Sequence, residues 1–175
     1  MRFFILLFVA AALSACSSTN VKIYEAEKPK LALETYFNSK MKGHGVVMNR
    51  SGEVTRRFVV HMDPHWTGQV GTFKEDFDWA DGEKSQRIWT ITKTSENSYE
   101  GKAGDVIGKA VGEISGNAFN WNYKMDLKTK DSQYNINFED WMFLVDENVL
   151  LNEATMYWFG IRVGKVLISF DKKNK

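Results

Sequence analysis

Two carboxylic acids in the sequence stand among aromatic residues, where a charge is costly to bury. Glu75 alternates with Phe77 and Trp79, and Asp140 immediately precedes Trp141. A carboxylate that points into an apolar interior persists there only when it is paired or hydrogen-bonded. The functional interpretation is a polar anchor at the base of a ligand pocket. The alternatives are a structural ion pair or a glutamate that points outward beyond a bulge. Four arginines are candidate partners for such a pair: Arg56, Arg57, Arg87 and Arg162.

Aromatic residues are abundant, and in a β-rich protein they have two possible roles. The chain has 6 Trp, 6 Tyr and 12 Phe, which make up 14% of its residues. Large rings either fill a core or line a cavity. We predict that the ligand-binding residues are acidic and aromatic side chains of the strands: Glu75, Phe77, Trp79, Trp89, Trp121, Tyr123, Asp140 and Trp141.

Two other groups of residues have spacings that suggest metal binding. His61 and His65 suit a helical metal site, but in an extended strand they would lie about 13 Å apart. Asp76, Asp78 and Asp81 resemble part of a calcium loop, but one residue too many precedes the third aspartate. We predict ordinary polar residues at both places and no metal site.

Known catalytic patterns are missing from the sequence. Glu139 and Asp140 are adjacent, so in a regular strand they face opposite sides and cannot act as a glycosidase pair. No G-x-S-x-G, C-x-x-C, P-loop or H-E-x-x-H motif is present. We predict a protein that is not an enzyme and has no cofactor. A hydrolase or isomerase is the alternative, and it would need a nucleophile within reach of a base.

The charge balance excludes one class of partner. The chain has 23 Lys and Arg against 22 Asp and Glu, a formal net charge of +1. Nucleic-acid binding requires a basic face that neutralises phosphates, so the composition argues against it.

Residues 1–15 have the pattern of a secretory signal peptide. Arg2 gives a positive start, and the apolar run at 3–13 is too short to span a bilayer. Residues 13–16, Leu-Ser-Ala-Cys, resemble the bacterial lipobox, which implies cleavage before Cys16 and attachment of diacylglycerol to its sulfur. Asp after this cysteine commonly causes inner-membrane retention. Ser17 therefore favours an outer-membrane anchor, with polar residues 16–30 as a tether and a periplasm-facing domain at 31–175.

The rest of the chain predicts one short helix and then strands. Leu33, Tyr36 and Phe37 have helical spacing within residues 31–40. Turn residues such as Asp81-Gly82 separate the strands that follow. Ten strands are predicted, at 45–49, 54–62, 69–79, 85–94, 98–104, 109–114, 119–127, 134–144, 149–157 and 161–171.

Alternation along these strands and the short connections predict the fold class. Residues 119–127 alternate apolar and polar without a break, whereas the alternation blurs at 139–143, where we expect a bulge. No helix-length segment separates the strands, and closure removes exposed edges. The sequence predicts an all-β, antiparallel up-and-down barrel of about 8–10 strands, with a short N-terminal helix.

Several segments resemble a bacterial lipoprotein family, domain of unknown function 3833. They are GHGVVMNRSGEVTRRF, DFDWADGEKSQRIW, YEGKAGDVIGKAVGEISGNAFNWNY, FEDWMFLVDENVLLNEATM and FGIRVGKV, and the resemblance spans residues 33–171. It implies an envelope lipoprotein with a lipocalin-like, or calycin-like, barrel. It implies no activity, ligand or catalytic residue.

Together these observations favour a lipid-anchored barrel that binds an apolar or amphipathic molecule or lipid. The partner that we predict is the membrane, which the protein would reach through its N-terminal lipid anchor. The alternative is an envelope structural or assembly accessory with no small ligand, whose exposed apolar patches would face a protein partner.

We expect Cys16→Ser to move the protein from the membrane fraction to the soluble periplasmic fraction, because no thiol remains to carry the acyl chains. Cell fractionation measures the change, with the unaltered chain as control. Retention of the variant in the membrane would contradict the lipid anchor.

Overall fold

The computed structural model describes residues 19–128 and 132–173. Ten strands account for most of them. They are β1 (Met41–Asn49), β2 (Val54–Thr67), β3 (Val70–Trp79), β4 (Lys84–Lys93), β5 (Ser98–Lys102), β6 (Ala110–Ser115), β7 (Ala118–Lys128), β8 (Gln133–Leu144), β9 (Val149–Trp158) and β10 (Ile161–Asp171). Cys16 and the predicted signal peptide at 1–15 lie outside the described residues.

The strands form one closed barrel in which sequence neighbours pair antiparallel. The order is β1-β10-β9-β8-β7-β6-β5-β4-β3-β2, and β1 closes the sheet by pairing with β10 from Lys42↔Asp171 to Asn49↔Gly164. This confirms the predicted up-and-down barrel. Because the sheet closes on itself, no further segment is needed to cover an edge, and the barrel encloses its own hydrophobic core, as an independently folding domain does.

The hairpin between β3 and β4 shows how the sequence sets the turns. Gly82 has a φ of +88°, which a residue with a Cβ adopts only at a cost. The Asp81 side chain accepts a hydrogen bond from the amide of Glu83 at 3.1 Å. The Asp-Gly pair therefore places the reversal here, as predicted.

A single helical turn, α1 (Leu33–Tyr36), closes one end of the barrel. The hydroxyl of Tyr36 donates to the carbonyls of Asn148 and Phe170, at 2.9 and 3.2 Å. The helix is much shorter than the predicted 31–40, because Phe37 already leaves the helical region, with φ −89° and ψ 66°. Strand β1 correspondingly begins before the predicted residue 45.

Part of the expected tether packs against the outside of the barrel. A 3₁₀ turn at Val21–Tyr24 buries Val21, and the amide of Leu31 donates to the carbonyl of Gly116 at 2.8 Å. Within the described segments, no helix combines the length and the apolar character that a membrane span requires.

The bulge that we predicted at residues 139–143 is wrong. Strand β8 keeps its register without interruption against β7, from Ala118↔Phe143 to Lys128↔Gln133, and also against β9. The alternation looked blurred because Trp141 and Phe143 are apolar although they point outward. The Tyr24 ring covers both, at centroid distances of 6.0 and 5.3 Å.

Inward glycines make room for large rings elsewhere in the wall. A Cβ on Gly112 would lie 2.6 Å from the carbonyl oxygen of Asn120 and would also collide with the rings of Phe119 and Trp121. A Cβ on Gly101 would meet the same Trp121 ring. The indole of Trp121 therefore needs glycine in both β5 and β6.

We expect Gly112→Ala to destabilise the barrel by about 1–3 kcal/mol, because backbone and buried rings must move to admit the methyl group. Urea unfolding followed by tryptophan fluorescence measures this. Gly104→Ala is the control, since nothing lies within 4 Å of its added Cβ. Equal stability of the Gly112→Ala variant and the unaltered chain would show that the glycine is not required.

Candidate ligand-binding site

The barrel interior contains a cavity of about 400 Å³. It extends from Leu33 and Phe37 at the helical plug to Trp79 and Ser85 near the β3–β4 turn. Alternate residues of the strands supply its wall, since successive side chains of a strand point to opposite faces. The plug and the inward rings therefore do not fill the tube.

Aromatic rings form much of the cavity wall. The Tyr123 ring stacks on Phe138 with centroids 5.0 Å apart and planes 5° apart. Trp89 contacts Tyr123 edge-on at 5.4 Å and lies 5.8 Å from Trp121. These contacts hold the rings at fixed angles and present flat apolar surfaces to the cavity.

Arg87 is the central cation of the interior. Its Nε donates to Asp105 Oδ1 at 3.2 Å and its Nη2 to Asp105 Oδ2 at 2.8 Å, in the bidentate arrangement that favours arginine. Its Nη1 lies 3.9 Å from Glu75 Oε2. The guanidinium thus joins strand β4 to β3 and to the β5–β6 connection.

Asp140 is buried, with 6% of its surface exposed, and its hydrogen-bond donors are neutral. Asn152 Nδ2 donates to its Oδ1, and the Tyr123 hydroxyl donates to Oδ2 at 3.4 Å. Asn152 Nδ2 also lies 3.1 Å from the carbonyl of Trp141. These contacts fix the carboxyl group without supplying a full positive charge.

Burial dominates the ionisation of these acids. It raises the pKa of Glu75 to about 7, with Arg87 opposing the shift and the carboxylates of Asp140 and Asp105 adding to it. Burial likewise raises the pKa of Asp140 to about 6, partly offset by its bonds from Asn152 and Tyr123 and by Arg87. Perturbed acids in a cavity are typical of functional sites.

The structure brings most of the predicted site residues to one cavity. The residues that line it are Glu75, Phe77, Trp79, Trp89, Trp121, Tyr123 and Asp140. Trp141 does not line this cavity, because β8 has no bulge and Asp140, its neighbour, takes the inward position. Trp141 instead faces Tyr24 on the outer wall, where its Nε1 donates to Glu139 at 3.1 Å.

The cavity is also lined by polar residues that were not among the predicted site residues, and Asn152 and Asp105 are two of them. Asn152 shares inward parity with Leu150 and Ala154 in β9, so the alternation could have indicated it. Asp105 lies between β5 and β6, where no strand period applies, and only the geometry reveals it.

The residues considered for metal binding do not line the cavity. His61 Nε2 lies 3.2 Å from Asp78, and His65 Nε2 lies 3.0 Å from Asp63. Asp81 pairs with Arg56 at 2.7 Å. Across residues 19–128 and 132–173, no three His, Cys, Asp or Glu side chains converge as metal ligands would.

The model of a family described as "Protein of unknown function (DUF3833)" matches residues 10–172. The chain belongs to this family. The matched range includes all ten strands of the barrel, so the family model describes the whole barrel and not a part of it. Among curated proteins, none matches the chain.

Two solved structures have the same fold as this DUF3833 chain. An S-type phycobiliprotein lyase, CPES from Guillardia theta, has a TM-score of 0.61 at 8% identity, covering 90% of this chain and 99% of that chain. A protein of unknown function from the DUF3598 family of Nostoc punctiforme has a TM-score of 0.56 at 11% identity. That likeness covers 83% of this chain and 50% of the other. The closed antiparallel barrel of this chain thus resembles the lipocalin-like fold of the lyase.

Asp140→Asn removes a carboxyl whose ionisation opposes folding. Its pKa is about 6 in the folded chain, against an ordinary value of 3.8, so the folded state binds more protons between those values. The unaltered chain therefore loses stability as pH rises through this window. We expect the variant to gain on the order of 2 kcal/mol relative to it between about pH 4 and about pH 7.

Urea unfolding at the two pH values measures that gain. Asp76→Asn is the control, because this exposed acid has a pKa lowered by hydrogen bonds from Lys74 and Gln86. Its ionisation supports folding, so its loss brings no gain at the higher pH. An Asp140→Asn variant that loses stability as steeply as the unaltered chain would contradict the assignment.

Proposed function

We propose that the barrel binds one apolar or amphipathic small molecule or lipid in its interior. The observation that carries the proposal is the interior cavity of about 400 Å³ with aromatic walls and a few charged side chains. Small-molecule sites have this combination: an apolar concave surface of roughly 300–1,000 Å³ with a small number of polar groups that set orientation.

The arrangement suggests how a ligand would be held. Its apolar part would lie against the rings of Trp89, Trp121 and Phe138, which gain by excluding water. Its polar end would meet Glu75 and Asp140. Because Asp140 is already held by Asn152 and Tyr123, binding would require little reorganisation around it.

The fold comparison supports a binding role. A phycobiliprotein lyase has the same barrel, so this fold occurs in a protein associated with pigment proteins. At 8% identity the likeness concerns the fold, and no lyase activity follows from it. We propose that this chain binds its ligand rather than converting it.

We also propose that the protein acts at the cell envelope, anchored to the outer membrane through Cys16 and facing the periplasm. The lipobox-like residues 13–16 support this location. Thr19 lies at the outer wall of the barrel, beside His44 and Glu153. Two residues separate Cys16 from Thr19, and the three steps along the chain reach at most about 11 Å, so an anchored barrel would stay near the lipid surface.

A cavity-filling variant tests the binding role. Ala154 is buried and faces the cavity, so we expect Ala154→Phe to exclude the ligand. Native mass spectrometry of residues 17–175, purified without detergent, should show a bound mass that organic extraction removes. The Ala154→Phe protein should lack that mass.

Thr155→Phe is the matched control, because it adds the same ring to the outward face of β9 and should keep the bound mass. A barrel that carries no bound mass and takes up no 1-decanol would contradict the binding role. In-cell crosslinking that then captured a protein partner would favour the accessory role instead.

A further inference from the structure

The described residues that line the cavity carry more negative than positive groups. Its basic side chains are Arg56 and Arg87, and its acidic ones are Glu75, Asp105 and Asp140. An excess of one sign in a space shielded from water selects among ligands, because charge interactions are stronger there than in solvent.

Both arginines are already engaged. Arg56 pairs with Asp81 and Glu83 at 2.7 and 2.8 Å, and its guanidinium lies 3.8 Å from the Trp79 ring centroid. Arg87 directs its Nε and Nη2 to Asp105. Each guanidinium therefore already has a protein carboxylate as its counter-ion.

Glu75 is the carboxylate that the protein leaves least satisfied. Its side chain is only 14% exposed, and its one ionic contact is the 3.9 Å approach of Arg87. Within the described part of the chain, no hydrogen-bond donor lies within bonding distance of it. An acceptor that lines the cavity without a protein donor is available to a donor on a ligand.

Asp140 adds a second negative group with neutral partners, and it lies close enough to raise the pKa of Glu75. The ring faces of Tyr123 and Phe138, stacked in parallel, line the same space. Aromatic faces attract cations through their quadrupoles, most strongly where water is excluded. Carboxylates and ring faces together therefore favour a cationic head group.

We propose that the ligand carries a protonated amine, which donates hydrogen bonds to Glu75 and lies near Asp140 while its apolar chain occupies the aromatic part of the cavity. This inference rests on the proposed binding role and specifies the ligand class. A carboxylate or phosphate head group would face two carboxylates in the same position. The pocket therefore discriminates against fatty acids and anionic lipids.

Three probes of equal chain length test the sign of the head group: decylammonium, 1-decanol and decanoate. Binding of each to residues 17–175 is measured by calorimetry below its micelle concentration, at about pH 8, where both acids are above their raised pKa values. We expect decylammonium to bind at least about tenfold more tightly than 1-decanol, and decanoate to bind more weakly than both.

Glu75→Gln keeps the shape of the side chain and removes its charge. We expect it to weaken decylammonium binding about tenfold and to leave 1-decanol binding within about twofold. Asp76→Asn is the matched control, because it removes a charge from the next residue of β3, which does not line the cavity and accepts hydrogen bonds from Lys74 and Gln86. That variant should bind all three probes like the unaltered chain.

The outcomes separate the two proposals. Decanoate binding as tightly as decylammonium, or Glu75→Gln leaving decylammonium affinity unchanged, would overturn the amine assignment while binding itself stands. If none of the probes binds, the binding role fails and the amine assignment fails with it. A Glu75→Gln variant that does not fold leaves the comparison of the three probes on the unaltered chain to decide.

Discussion

Pairing of β1 with β10 is the constraint on which the rest of the structure depends. Once the sheet closes, every strand must send alternate side chains into one enclosed space, whatever their chemistry. Ten strands enclose more volume than a one-turn plug and the inward rings occupy, and the difference is the cavity. The same geometry carries Glu75, Arg87 and Asp140 inward with their apolar neighbours.

The interior charges form a network with a single cation at its centre. Arg87 satisfies Asp105 through two hydrogen bonds and approaches Glu75 only at 3.9 Å, while Asp140 depends on neutral donors. Such an arrangement lowers stability at neutral pH, since two acids ionise in a medium that disfavours charge. Proteins tolerate such a loss of stability at functional sites and compensate for it elsewhere in the fold.

The alternation of apolar and polar residues and the turn residues were enough to predict most of the fold. The period of two placed Phe77, Trp121 and Tyr123 inward, and Asp-Gly located a hairpin. Failures arose where contacts from distant segments decided the outcome. Trp141 is apolar but faces outward because Tyr24, more than a hundred residues earlier, covers it. Asp105 lies in a connection that follows no period, so no local pattern points it toward Arg87.

A crystal structure of residues 17–175 purified without detergent tests the central claim most directly. The account predicts continuous non-protein density inside the barrel, lying along Trp121 and Phe138 and ending beside Glu75. An interior filled by the rings of Phe77 and Trp79, with no ligand density and no space larger than a water molecule, would contradict it.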